Sequence, residues 1–177
     1  MSKHARLTNL SLAALALAMT AAAGSALVAQ ATATSTSTVV TPISITAPVN
    51  LSFGSFAVGG TSGTVTLTPG GARTAAGGVT LAGGTAGAAR FDVAGSASLT
   101  YSIAFSGAAT LSDGTNSMNF TRISDTSASA ITSGDATNGT LSAGGAQSIF
   151  VGGVLAVNAN QPAGTYTGSV TATVEYN

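Results

Sequence analysis

Cysteine and tryptophan are both absent from the sequence, and only 6% of its 177 residues are charged. Without cysteine no disulfide bond can form, so packing or binding partners must hold the fold together. The charged fraction is far below the roughly 25% of an average protein. Small residues are abundant instead: glycine alone takes 23 positions, and alanine, serine and threonine are frequent. This composition favours a β protein with small side chains and many tight turns.

The first residues have the pattern of a secretory signal peptide. Basic side chains precede the apolar run Leu10–Met19, which is too short to cross a bilayer because a spanning helix needs about 20 residues. Ala29-Gln30-Ala31 fits the small-x-small cleavage rule, and Ala21-Ala22-Ala23 is the competing site. We therefore predict a signal peptide over residues 1–31, with a membrane anchor as the alternative. No second apolar run is long enough to span a membrane, so no membrane insertion is expected after cleavage.

Beyond residue 31 the chain also has no histidine and no lysine. General acid–base and nucleophilic mechanisms rely on His, Cys and Lys, and His/Cys zinc sites are excluded as well. The acidic residues stand singly in turn-like contexts, which gives no carboxylate pair for a glycosidase. We therefore expect no enzyme activity, no cofactor and no metal site. Three arginines against five acidic residues give a net charge of −2, so neither nucleic acid nor an anionic membrane surface is an expected partner.

A long alternating segment follows the predicted cleavage site. Its odd positions are apolar, apart from Thr41, over about fifteen residues, whereas an average strand has about 5–6 residues. Pro42 and Pro48 interrupt the segment, and proline belongs at edge strands or breaks. We predict two consecutive strands, roughly 37–46 and 47–56. Their apolar face would consist of Val39, Thr41, Ile43, Ile45, Ala47, Val49, Leu51 and Phe53.

Short alternating runs separated by turn signals fill the rest of the chain. Asp113-Gly114 is a typical turn dipeptide, "GGARTAAGG" is interpreted as a loop, and residues 124–147 as turns around one weak strand. "SIFVGGVLAV" is a strand with a bend at Gly152-Gly153. Seven to nine short strands without a helix predict an all-β sandwich or barrel. The expected inward residues are Val65, Leu67, Phe91, Val93, Leu99, Tyr101, Ile103, Phe105, Met118 and Phe120.

The last fourteen residues, "GTYTGSVTATVEYN", also alternate. Gly164 belongs to a turn, and a strand with one dry and one wet face is expected from Tyr166 onward. Its dry face would carry Tyr166, Val170, Ala172, Val174 and Tyr176.

These residues carry a resemblance to chaperone–usher pilins. Such pilins have a penultimate tyrosine, here Tyr176, and a glycine fourteenth from the end, here Gly164, with alternating apolar residues between them. "LSFGSF" (residues 51–56) resembles the L-x-F-G element of spore-coat-U-like archaic pilins. Over its whole secreted length the chain is most similar to a related family of cysteine-free secreted bacterial proteins of unknown function. It departs from archaic pilins in lacking their N-terminal cysteine pair.

The resemblance implies an immunoglobulin-like antiparallel β-sandwich that lacks one strand and is completed by a donor strand from a neighbouring subunit. Residues 32–46 would be the donor extension and residues 47–177 the sandwich. The donor strand would present Val39, Thr41, Ile43 and Ile45. Other copies of the chain, a periplasmic chaperone and an outer-membrane usher are the implied partners, and a cell-surface fimbria is the implied location. The chaperone and assembly edge would contain Gly164, Tyr166, Val170, Ala172, Val174 and Tyr176.

Two alternatives stay open. Residues 37–46 can be the first strand of their own domain rather than a donor. The protein can also be a self-contained secreted adhesin or glycan-binding module, although such sites usually offer exposed aromatic side chains. Most aromatic residues of this chain occupy inward strand positions, which argues against the second alternative.

Overall fold

The computed structural model describes residues 28–177. The chain divides into two units, Met1–Ser37 and Thr38–Asn177. Of the first unit, residues 28–37 have exposed side chains and no regular structure, and residues 1–27 of the predicted signal peptide lie outside the described part. Within residues 28–177 there is no helix that could cross a membrane. The second unit contains all of the described strands.

The second unit is all-β, as predicted, and every strand pairing is antiparallel. Its twelve strands are β1 (Ser44–Val49), β2 (Ser52–Phe53), β3 (Phe56–Leu67), β4 (Arg73–Leu81), β5 (Ala86–Gly87), β6 (Ala89–Ala94), β7 (Thr100–Gly107), β8 (Thr110–Ser112), β9 (Ser117–Asp125), β10 (Asn138–Thr140), β11 (Ala146–Val157) and β12 (Val170–Tyr176).

A seven-stranded sheet and a three-stranded sheet form the two layers. The larger sheet has the order β1-β6-β11-β3-β4, with β9 on the other edge of β11 and β8 beside β9. The smaller sheet has the order β10-β7-β12, and β2 and β5 form a separate ribbon. The predicted chain of short strands is therefore an antiparallel β-sandwich in which β11 is the central strand of the larger layer.

The Gly152-Gly153 pair lies where β11 changes partners. β6 pairs with β11 up to Val151, and β3 pairs with it from Gly153 onward. A Cβ atom at Gly152 would collide with the carbonyl oxygen of Leu67, and one at Gly153 would collide with the Phe120 ring. Glycine is needed here because the backbone of β3 and the Phe120 ring of β9 approach the backbone of β11 closely. The pair lies inside one continuous strand, Ala146–Val157.

One face of β11 carries both halves of the core. Ile149 and Val151 belong to a first cluster, and Leu155 and Val157 belong to a second one. β7 and β12 of the smaller sheet cover the first cluster, to which they contribute Tyr101, Ile103 and Ala172. Most of the expected inward residues are buried: Val65, Leu67, Phe91, Val93, Tyr101, Ile103, Met118 and Phe120. Leu99 and Phe105 are only partly buried.

The strand boundaries before Phe56 differ from the prediction. Residues 37–43 are not in a strand; β1 begins at Ser44, directly after Pro42 and Ile43, and its register with β6 is irregular between Thr46 and Val49. The two prolines explain both departures, because proline lacks the N–H that a regular ladder needs. The predicted domain boundary at residues 46–47 falls inside β1.

The interpretation of "GGARTAAGG" as a loop was wrong. Most of it belongs to β4, which pairs with β3 in the register Leu67↔Arg73 to Phe56↔Leu81. β4 is an edge strand, so the larger partner β3 positions it through backbone hydrogen bonds. Its Gly- and Ala-rich sequence has little β-propensity of its own.

Candidate functional site

An open groove lies over the second half of the β11 face. Its volume is about 1110 Å³, and residues from Ala47 to Val58 form one wall while Gln161–Val170 form the other. None of the residues that line it is charged. Its floor consists of Ala89, Phe91, Leu111, Met118, Phe120 and Leu155.

The groove exists because the smaller sheet reaches the second core cluster only through Val170 and leaves Ala89 and Phe91 of the first cluster open to the groove. Over the second cluster lie short pieces: the β2 ribbon, Leu111 of β8 and Tyr166. Phe53 and Phe120 meet edge to face there, with ring centroids 6.0 Å apart and an interplanar angle of 80°. The floor is therefore well-packed core that lacks a full strand above it.

Hydrogen bonds from Arg73 hold the first wall, residues 47–58, in place. Its guanidinium donates hydrogen bonds to the carbonyl oxygens of Phe53 (2.6 Å), Ser55 (3.3 Å) and Gly83 (3.2 Å). Gly54 has φ +66°, and a Cβ atom there would collide with this guanidinium. The glycine of the "LSFG" element is thus required both by its left-handed backbone and by the close approach of Arg73.

The second wall is not the strand that alternation predicted. The strand begins at Val170, four residues after Tyr166, and the segment before it has only an isolated bridge between Thr167 and Ser112. The Tyr166 hydroxyl donates to the carbonyl of Pro162 (2.8 Å) and accepts from the amide nitrogen of the Gln161 side chain (2.9 Å). Gly168 fits against Leu111 and Thr110. Bridging to Ser112 therefore holds Thr167 at the end of β8, outside the β7–β12 ladder, which begins at Val170.

A tight turn at Asp113 supports the second wall. The Asp113 carboxylate accepts hydrogen bonds from the backbone N–H groups of Thr115 (2.8 Å) and Asn116 (2.6 Å). These bonds, that of Asn116 first, lower the pKa of Asp113 to about 2, because they favour the charged carboxylate. A Cβ atom at Gly164 would lie 3.2 Å from an Asp113 carboxylate oxygen. Gly164 is not among the glycines with positive φ, so close approach is what favours glycine there.

β12 continues from the second wall as an edge strand. It pairs with β7 from Val170↔Gly107 to Tyr176↔Tyr101, and no other described strand pairs with its second side. Ala172 is buried, and the other even residues of β12 pack against the first cluster. The predicted edge residues are thus divided between two places. Gly164, Tyr166 and Val170 line the groove, whereas Ala172, Val174 and Tyr176 lie along β12 beyond it.

The predicted donor residues are also divided. Val39 is 95% exposed, the highest value among the large apolar side chains that the structure describes. Ile43 and Ile45 pack against the first core cluster of their own chain, and Ile45 pairs with Val93 of β6. Thr41 lies between these regions and is hydrogen bonded to Ser96 and Tyr176.

The described acidic residues do not converge on a catalytic or metal centre. No group of three or more His, Cys, Asp or Glu residues that could hold a metal ion occurs among residues 28–177. Asp92 binds Arg90 and the Ser148 hydroxyl, and Asp135 binds Arg122 in a two-bond pair. These carboxylates tie neighbouring segments together.

A comparison with protein families matches residues 43–176 to the family described as Domain of unknown function (DUF4402). The chain belongs to this family. No curated protein and no solved structure matches the chain. Both walls and the whole floor of the groove lie within the matched DUF4402 domain, and Val39 lies before it.

Sequence reasoning did not identify the floor of the groove in this DUF4402 domain as part of a site. Phe91, Met118 and Phe120 have the alternation of ordinary core residues, and nothing in the sequence shows which part of a core is left uncovered. Gln161 and Leu111 also escaped attention because one lies in a predicted turn and the other in a strand of three residues.

Proposed function

We propose that this protein is a structural subunit of a surface fimbria and that it polymerises by donor-strand exchange. The main observation is the open groove without charged side chains over the second core cluster. The groove reaches Val49 of β1 and Val170 of β12, two edge strands that each have one side without a described partner strand. The exposed Val39 in the uncharged segment of residues 32–40 supports a second copy of the chain as the occupant. The proposed role is structural and involves no catalysis.

Two physical features favour an extended segment in the groove. An unpaired strand edge is a template for another strand, and alternate side chains of that strand can enter apolar pockets. No side chain of residues 32–40 and no side chain that lines the groove carries a charge that insertion would strip of water.

Apolar burial alone does not stabilise the inserted segment. Full burial of Val39, the valine that faces the groove in an extended segment, contributes about 1.5–3 kcal/mol, while ordering the backbone costs about 1–2 kcal/mol for each residue. Backbone hydrogen bonds to the open edges and coverage of the aromatic floor must supply the remainder. We therefore expect the joined subunits to be held by a slow dissociation step as well as by affinity.

Head-to-tail donation generates a filament unless the rotation between copies closes a ring. A periplasmic chaperone would cover the groove before assembly, an outer-membrane usher would export the subunits, and the filament would stand on the cell surface. The resemblance to chaperone–usher pilins and the signal-peptide pattern of residues 1–31 support this route.

The test removes the proposed donor without touching β1. A variant that lacks residues 32–40 should fold, since these residues make no strand in the domain, but should form no filaments. A synthetic peptide of residues 32–40 should bind to this variant and raise its melting temperature, whereas a scrambled peptide of the same composition should not. Filaments from the deletion variant, or equal effects of both peptides, would contradict the proposal.

A self-contained binding module is the second candidate function. The aromatic floor with polar groups at its margin, among them Asn50, Gln161 and Tyr166, has the composition of a small-ligand site. Under this candidate the full-length chain remains a monomer and binds oligosaccharides through the groove. Binding of glycans that is lost in Tyr166→Ala, together with absence of polymers, would favour it.

A further inference from the structure

Three residues far apart in sequence form a closed ring of hydrogen bonds. The backbone N–H of Thr41 donates to the Ser96 hydroxyl (2.7 Å), and the backbone N–H of Ser96 donates to the Tyr176 hydroxyl (2.7 Å). The Tyr176 hydroxyl in turn donates to the carbonyl oxygen of Thr41 (2.9 Å). Both backbone polar groups of Thr41 are therefore held by the domain.

The turn that contributes Ser96 is shaped for this ring. A Cβ atom at Gly95 would collide with the Tyr176 hydroxyl, so only glycine leaves room for that oxygen. The N–H of Gly95 donates to the carbonyl of Gly145 (2.8 Å), and the N–H of Ser98, whose φ is +60°, donates to the carbonyl of Ser142 (3.2 Å). The turn is thus anchored to the β10–β11 connection independently of Thr41.

The residues before the ring are exposed and irregular, whereas those after it pack against the core. Val39 and Val40 on one side are exposed large apolar residues, and residues 28–40 have no regular structure. On the other side Pro42 restricts the backbone, and Ile43 and Ile45 pack against the first core cluster. Hydrogen bonds hold Thr41, and packing holds Ile43 and Ile45. Only the residues before Thr41 are therefore free to leave the domain.

We propose that the ring of Thr41, Ser96 and Tyr176 fixes the end of the donated segment, so that a second copy receives residues 32–40 while Thr41 and the residues after it stay in their own domain. As far as it concerns a second copy, this inference rests on the proposed function. It replaces the predicted donor face of Val39, Thr41, Ile43 and Ile45 by a shorter segment in which Val39, next to the last residue, is the main apolar side chain.

The ring itself is tested by amide hydrogen exchange on the exported chain before assembly. The Thr41 amide should exchange more slowly than that of Val40. Ser96→Ala removes the acceptor of Thr41 and should speed its exchange roughly 5- to 10-fold, as loss of one hydrogen bond does. Tyr176→Phe should speed exchange at both Thr41 and Ser96. Ser102→Ala, which removes a hydroxyl near Glu175 outside the ring, should change neither amide.

The end of the donated segment is tested by cysteine labelling, which is specific because the chain has no native cysteine. Reactivity of Val39→Cys should fall at least about tenfold on polymerisation, while Ser44→Cys, in β1 and exposed in the subunit, should change less than about twofold. Protection of Ser44→Cys in filaments would overturn the inference, since the boundary would then lie inside β1.

The two proposals fail in different ways. Unchanged exchange of Thr41 in both ring variants refutes the ring, whatever the filaments do. Protected Thr41 in a chain that never polymerises leaves the ring in place and refutes the proposed function.

Discussion

Val39→Asp should impair assembly of the subunits without affecting folding of the subunit. Val39 is 95% exposed in the subunit, so Val39→Asp should leave the free energy of unfolding of the subunit unchanged within about 0.5 kcal/mol. In the groove of a second copy the same side chain would meet a lining without any charged residue. Val39→Asp should therefore weaken the contact between subunits without changing the stability of the subunit itself.

The expected effect on assembly is large. Loss of the buried valine removes about 1.5–3 kcal/mol, and an unpaired carboxylate in an apolar groove costs several kcal/mol more. A total of at least about 4 kcal/mol corresponds to about a thousandfold weaker exchange. Because strand side chains alternate, Thr38→Asp would place its charge on the opposite face and should weaken assembly far less.

The assay compares unboiled multimers and filament yield for the two variants at equal subunit concentration, with thermal unfolding of each subunit as the control for folding. Val39→Asp that assembles like the parent chain would refute the assignment of Val39 to the groove. Equal loss in both variants would refute a strand-like register for the segment.

Two further predictions concern the walls of the groove. Gly54→Ala should lower the free energy of unfolding by at least about 1–2 kcal/mol in urea titrations, because φ at Gly54 is +66° and Arg73 occupies the space of the new methyl group; Gly60→Ala, where nothing lies within 4 Å, is the matched control. The Asp113 carboxylate should titrate at a pKa of about 2 by NMR, below its usual value of 3.8. Since the folded pKa is the lower one, its contribution to stability should be complete above about pH 4 and should decline as the pH falls toward 2. A midpoint near 3.8, or equal losses in both glycine variants, would contradict these accounts.

Alternation identified the core strands because each of them has one buried and one exposed face. Tyr101 and Ile103 of β7 and Met118 and Phe120 of β9 were placed correctly for this reason. The same rule failed at β1, where the apolar Val49 is 41% exposed on an edge strand with an irregular register. β4 was missed because backbone pairing with β3 creates a strand from residues of low β-propensity.

The groove could not be located from the sequence. Its floor consists of core residues of ordinary pattern, and only the three-dimensional arrangement shows that the smaller sheet ends before it covers them. Alternation predicted one strand for Tyr166 and Val170, but β12 begins at Val170, and Tyr166 lies before the isolated Thr167–Ser112 bridge. The hydrogen bonds of Thr41 link residues 55 and 135 positions apart, which no local pattern can reveal.

The most direct test of the central claim is disulfide cross-linking between two separately prepared chains. One chain carries Val39→Cys, and the other carries a single cysteine at an exposed position of the groove, Ala57 or Ala163. Donor-strand exchange predicts a covalent heterodimer for at least one groove position and none for Thr74→Cys, an exposed residue of β4 that does not line the groove. Absence of the heterodimer at both groove positions, or an equal yield with Thr74→Cys, would contradict the account.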